Sequence, residues 1–123
     1  MSLKQERRVG EVMTTPLETV SRTATVSEAA ARMREEGIRA LVVTTSPPSI
    51  LTSSDVLDAV AEGRDVADLT VAEIMTESVE TVPTTIRTGE AAAMMESLGV
   101  NHLPVREGSD YVGMLSWADL ADA

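Results

Sequence analysis

Apolar and polar positions recur along this chain in a fixed order, and the order occurs twice. Ala29, Ala30 and Met33 return at helical spacing, and Thr25-Val26-Ser27-Glu28 before them reads as a capping box with Thr25 as N-cap. Gly37 is placed to end that helix. An apolar-rich strand follows from Ile38 to Val43, then a turn holding Pro47-Pro48, a short strand from Ser49 to Leu51, and a helix from Ser53 to about Ala61. In the second round Glu90 to Met95 form the helix and Gly99 ends it. Arg87 stands where threonine capped the first helix, so this start is weaker or shifted to Thr88. A strand from Val100 to Val105, a turn from Arg106 to Asp110, a strand from Tyr111 to Leu115 and a helix from Trp117 onward complete it. Short extended segments, Thr19-Val20 and Thr81-Val82, precede the first helix of each round, and short turns, Val9 to Thr14 and Val71 to Thr76, precede those. The order in each round is β-α-β-β-α, which places the chain in the mixed α/β (α+β) class.

The two rounds are copies. VGEVMTTPLETVSRTATVSEAAARMREEGIRALVV from Val9 aligns with VAEIMTESVETVPTTIRTGEAAAMMESLGVNHLPV from Val71, about 62 residues later and with roughly half the positions identical. The division that follows is an N-terminal arm at 1–8, a first repeat at 9–62, a linker at 63–70 that begins Gly63-Arg64-Asp65, and a second repeat at 71–123. A duplicated unit has a duplicated core and a pseudo-two-fold seam, and small ligands often sit at such seams.

Composition narrows the partners. Hydrophobic residues make up 43% of 123, enough for a core, and with no phenylalanine that core must be built from Val, Leu, Ile, Met and Ala. No apolar run approaches the ~20 residues of a membrane span and no secretory signal is visible, so a cytoplasmic protein without a membrane partner is the expectation. There is no cysteine, which removes disulfides, thiolate metal ligands and a catalytic thiol. The net charge is −10, with Lys4 the only lysine beside nine arginines. Such acidity argues against direct nucleic-acid binding and resembles the surface of a protein from a salt-loving archaeon.

The entrances Glu11-Val12-Met13-Thr14 and Glu73-Ile74-Met75-Thr76, the Glu-Ala-Ala helices with Met33 and Met95, His102-Leu103-Pro104-Val105, and Val112-Gly113-Met114-Leu115-Ser116 running to Asp119-Leu120 together resemble a tandem pair of cystathionine β-synthase (CBS) domains, a Bateman module. No single motif is specific; their order, spacing and repetition are. The resemblance implies two repeats packed through their sheets with pseudo-two-fold symmetry, two related clefts, and a homodimer that forms a disc of four repeats. It also implies adenosine-containing ligands (AMP, ADP, ATP, S-adenosylmethionine, sometimes NAD), no required cofactor, and a regulatory role toward an unidentified partner protein.

Thr52 with Asp55, and Ser116 with Asp119, carry the ligand expectation. The aspartate would accept hydrogen bonds from ribose, and the hydroxyl beside the helix N-terminus would meet a phosphate. The same hydroxyl-x-x-acid spacing is also a capping box, so both readings stand. The family's adenine slot maps onto Thr81, Val82, Pro83, Asn101, His102, Leu103 and Pro104 in the second copy, and onto Thr19, Val20, Ser21, Arg39, Ala40 and Leu41 in the first. Core packing is the safer reading for Leu41 and Leu103, and Arg39 is either a phosphate ligand or a solvated strand residue. The second copy keeps Pro104 and Gly113, glycine suiting a point where a ligand nears the backbone, whereas Val42 and Ser49 occupy those places in the first. Trp117 stacks near the ligand, caps the repeat seam, or faces a dimer partner.

His102, the only histidine, with Ser116 and Asp119 could suggest a hydrolase triad, but no nucleophile elbow or oxyanion hole is marked. One histidine and scattered carboxylates make an equally weak metal site. The resemblance therefore implies a non-catalytic, energy-sensing module, with a constitutive dimerisation scaffold as the rival. A net charge of −10 repels a nucleotide, and molar salt shortens the Debye length to about 3 Å. Affinity for ATP should rise with salt or with Mg²⁺, and a steady fall in affinity across a salt titration would contradict this.

Overall fold

The computed structural model describes residues 7–77 and 79–122. The fold is mixed α+β, with two three-stranded sheets. In chain order its elements are α1 (Val9–Val12), β1 (Thr19–Val20), α2 (Val26–Glu36), β2 (Ala40–Val43), β3 (Ser49–Thr52), α3 (Ser53–Ala61), a 3-10 turn (Val71–Glu73), β4 (Val82–Pro83), α4 (Thr88–Leu98), β5 (His102–Glu107), β6 (Asp110–Ser116) and α5 (Trp117–Asp122). They fall into two compact units. One is the continuous stretch Glu18–Val79, and the other joins Met1–Leu17 to Glu80–Ala123.

The helices start and stop where local chemistry demands it. Thr25 caps α2: its Oγ1 accepts from the Glu28 N–H at 3.1 Å, and the Glu28 carboxylate accepts from the Thr25 N–H at 3.4 Å. At α4 the N-cap is Arg87, which makes no side-chain capping bond, and the helix begins at Thr88. Gly37 and Gly99 follow the two helices in the left-handed region, at φ 67° and 68°. The next amide then turns back, Ile38 N–H to Met33 O at 2.9 Å and Val100 N–H to Met95 O at 3.0 Å. This corrects the sequence expectation that Ile38 and Val100 open strands. Those residues close the helices, so β2 and β5 begin two residues later, at Ala40 and His102.

The other boundary differences are small. The entrance of the first copy is a helical turn, α1. The strand β4 begins at Val82 rather than Thr81, and β5 and β6 extend into the expected Arg106–Asp110 turn. Gly108, at φ 63°, makes the reversal that remains.

In each sheet the middle strand is β2 or β5. The first strand of each copy pairs with it parallel and the third pairs with it antiparallel. The register sets Ala40 beside Thr52 and His102 beside Ser116, so each helix start lies next to the first residue of the middle strand. Ala29, Met33, Leu41, Val43, Leu51 and Val71 form one core, with a smaller cluster of Val26, Ala59 and Leu69. In the other unit Val9, Val82, Ala91, Met95, Leu103, Val105 and Leu115 pack together. Burying each such aliphatic side chain stabilises by about 1.5–3 kcal/mol.

Each entrance segment docks on a sheet edge through a reciprocal backbone pair. Thr14 N–H donates to Met114 O at 2.8 Å and Met114 N–H donates to Thr14 O at 3.0 Å. Thr76 and Ile50 exchange two bonds of 2.9 Å. Gly113 makes the first of these possible, because a Cβ there would lie 2.7 Å from Met13 Sδ and 3.0 Å from Thr14 O. What nears the backbone at Gly113 is this chain's own entrance segment. Gly113→Ala should lower stability by about 1–3 kcal/mol through overpacking. Urea denaturation reads this, and an unchanged midpoint would contradict the packing of Met13 and Thr14 on β6.

Candidate functional site

Both hydroxyl-x-x-aspartate pairs form reciprocal capping boxes at helix starts. At α3, Thr52 Oγ1 accepts from Asp55 N–H at 3.3 Å, while Asp55 Oδ2 accepts from Thr52 N–H at 2.9 Å and from the Thr52 hydroxyl at 3.0 Å. At α5, Ser116 Oγ accepts from Asp119 N–H at 3.1 Å and Asp119 Oδ2 accepts from Ser116 N–H at 2.8 Å. Each carboxylate thus sits in a first helical turn, where the peptide dipoles favour negative charge. Asp119 gains a further donor that Asp55 lacks: Thr14 Oγ1 lies 3.0 Å from its Oδ1 and 3.2 Å from its Oδ2.

Another such box opens the 3-10 turn. Its Glu73 is held below the usual carboxylate range, first by the Thr70 backbone N–H at 2.8 Å and then by the Thr70 hydroxyl at 3.1 Å. Among the described residues no group of three or more His, Asp or Glu is placed to hold a metal ion.

The remaining second-copy residues divide between two ends of the sheet. Asn101 and His102 stand beside the α5 start: Trp117 N–H donates to Asn101 O at 2.9 Å, and His102 pairs with Ser116. Thr81, Val82 and Pro83 lie at the β4 edge, separated from β6 by β5, about 10 Å away. The side chains of Val82, Leu103 and Pro104 are buried, the first two in a core.

The first copy divides in a similar way. Arg39 is exposed and its carbonyl accepts from Ser53 N–H at 2.9 Å beside the α3 start, while Ala40 and Leu41 are buried. Thr19, Val20 and Ser21 line a pocket of about 350 Å³ with Ala24, Glu28, Arg32 and Thr44. Arg32 in this lining donates to Thr19 O at 3.0 Å and pairs with the Glu18 carboxylate. Thr44 is four residues along the strand from Ala40, about 13 Å, so this pocket and the α3 start are separate places. Sequence reasoning missed Arg32, Glu28 and Thr44 there, and it missed the approach of Thr14 to Asp119. For Thr14 the available signal was its place in the Glu11–Thr14 motif at each entrance.

The family model for the CBS domain matches the chain twice, at residues 9–62 and 71–123. The chain belongs to the CBS domain family. An uncharacterized protein of Methanopyrus kandleri is 32% identical over 117 residues, covering 91% of this chain and 60% of its own length. The crystal structure of a hexameric CBS-CP12 protein from bloom-forming cyanobacteria superposes with a TM-score of 0.87 at 27% identity, over 93% of this chain and 66% of that one. The CBS domain protein from Pyrobaculum aerophilum in complex with AMP superposes with a TM-score of 0.83 at 27% identity, over 94% of this chain and 99% of that one. This CBS pair therefore spans about three fifths to two thirds of the length of the first two.

Capping gives the two helix starts a measurable structural role. Thr52→Ala and Ser116→Ala should each cost about 1 kcal/mol of stability. Chemical denaturation measures this, and a variant as stable as the wild type would show that its box contributes nothing.

Proposed function

We propose that this CBS pair is a non-catalytic regulatory module that binds an adenosine-containing ligand beside Asp119 and reports its occupancy to a partner protein. The observation that carries the reading is AMP bound to the Pyrobaculum protein of the same fold. The geometry supports it: Asp119 offers a half-buried carboxylate at a helix start, flanked by Ser116, His102 and Asn101. Ligand binding would favour whichever conformation holds the ligand better, a population shift and not a chemical step.

The candidates are AMP, ADP, ATP and S-adenosylmethionine, and the module would work as an energy sensor in the cytoplasm. No helix among the described residues is long and apolar enough to cross a membrane. Leu57 and Val60, one turn apart on α3 and 68% and 54% exposed, support association with a second copy. Trp117, 49% exposed, offers an aromatic face for ligand or partner. Lysine scarcity and the net charge of −10 support work in concentrated salt.

A scaffold without a ligand is the second reading. It is favoured at the first copy, where Asp55 is satisfied by its own cap and Val42 replaces the proline of the second copy. Isothermal titration calorimetry with AMP, ATP and S-adenosylmethionine in molar potassium chloride separates the two. The sensor gives saturable binding that Asp119→Ala abolishes. No heat from any of the three, on folded dimeric protein, gives the scaffold.

A further inference from the structure

The two helix starts differ in one side chain that arrives from far along the sequence. Thr14 and Thr76 occupy matching places in the two entrances, and both pin their backbones to a sheet edge by a reciprocal pair. Only Thr14 goes on to bond the neighbouring carboxylate, presenting its hydroxyl to both oxygens of Asp119 at 3.0 and 3.2 Å. Among the described residues Thr76 makes no such bond to Asp55, whose hydroxyl donor is Thr52 of its own cap.

We infer that Thr14 is a resident occupant of the second-copy ligand site, its hydroxyl holding the Asp119 carboxylate where a ligand's vicinal diol would bind, and giving way when that ligand enters. The inference rests on the proposed ligand reading of Asp119. Oδ2 already takes the Ser116 N–H at 2.8 Å on the helix side. Thr14 is exposed and Asp119 half-buried, so the contact between them is open to solvent on the threonine side. The Thr14 main chain is held on both sides by Met114. The hydroxyl therefore leaves by rotation about χ1, without withdrawal of the segment.

This makes Thr14 an affinity-limiting residue of that site. One shared hydroxyl is a weaker donor set than two, so a cis-diol displaces it more readily than a single hydroxyl does. The site accordingly selects a ribonucleoside over its 2′-deoxy analogue, and the internal competitor lowers affinity for both.

Calorimetry with AMP and 2′-deoxy-AMP on wild type, Thr14→Val, Thr14→Ser and Asp119→Ala tests this. Valine keeps the branched shape and removes the donor. The expected result is a gain of about two- to tenfold in AMP affinity for Thr14→Val, wild-type affinity for Thr14→Ser, and weaker binding of 2′-deoxy-AMP than of AMP to the wild type. Equal or lower AMP affinity in Thr14→Val overturns the inference, as does equal affinity of the wild type for the two nucleotides. AMP binding that Asp119→Ala abolishes but Thr14→Val leaves unchanged removes this inference alone. AMP that fails to bind the wild type, or binds without regard to Asp119, removes the ligand reading and the inference together.

Discussion

A two-bond backbone exchange at each sheet edge is the constraint on which the site depends. A terminal strand leaves a row of amides and carbonyls that must find partners. Thr76 supplies them on β3 through Ile50, and Thr14 supplies them on β6 through Met114. Each of those strands runs directly into a helix whose first turn holds an aspartate, at Asp55 and Asp119. Fixing the edge therefore fixes what stands beside the carboxylate. In the second copy it also requires Gly113, since any larger residue would push Met13 and Thr14 away.

The carboxylates serve local structure before they serve any ligand. Asp55 and Asp119 each accept a backbone amide from the residue three positions earlier. A carboxylate has about four lone-pair sites, so capping leaves acceptor capacity for a second partner. The copies use that capacity differently, with a neighbouring hydroxyl at Asp55 and a distant one at Asp119. Divergence between the repeats thus lies in what each entrance brings to an otherwise equal helix start, more than in the helix starts themselves.

The parts legible in the sequence were those governed by near neighbours. The Thr25–Glu28 box, the Gly37 and Gly99 stops and the Ser53–Ala61 helix depend on residues within one turn, and local pattern placed them correctly. The starts of β2 and β5 were misplaced by two residues because an amide that closes a helix looks, in an apolar run, like the first residue of a strand. Hydroxyl-x-x-acid could not be resolved further, since capping and ribose binding ask for the same atoms at the same spacing. The entrance motif marked Thr14, but its meeting with Asp119, like the separation of Thr19–Ser21 from the α3 start, was not legible. They follow from register and from which sheet an entrance joins, and single-residue preferences carry neither.

The division of the chain has a consequence for how the protein is made. One unit is the unbroken stretch Glu18–Val79, whereas the other needs Met1–Leu17 to meet Glu80–Ala123. Local contacts close quickly and distant ones wait for loop closure. On the ribosome the middle of the chain can therefore collapse first, while the N-terminal part of the other unit waits for its partner residues from Glu80 onward. The strand that receives Thr14, β6, follows the whole middle stretch in the chain, so the Asp119 site comes into being only after that stretch has emerged.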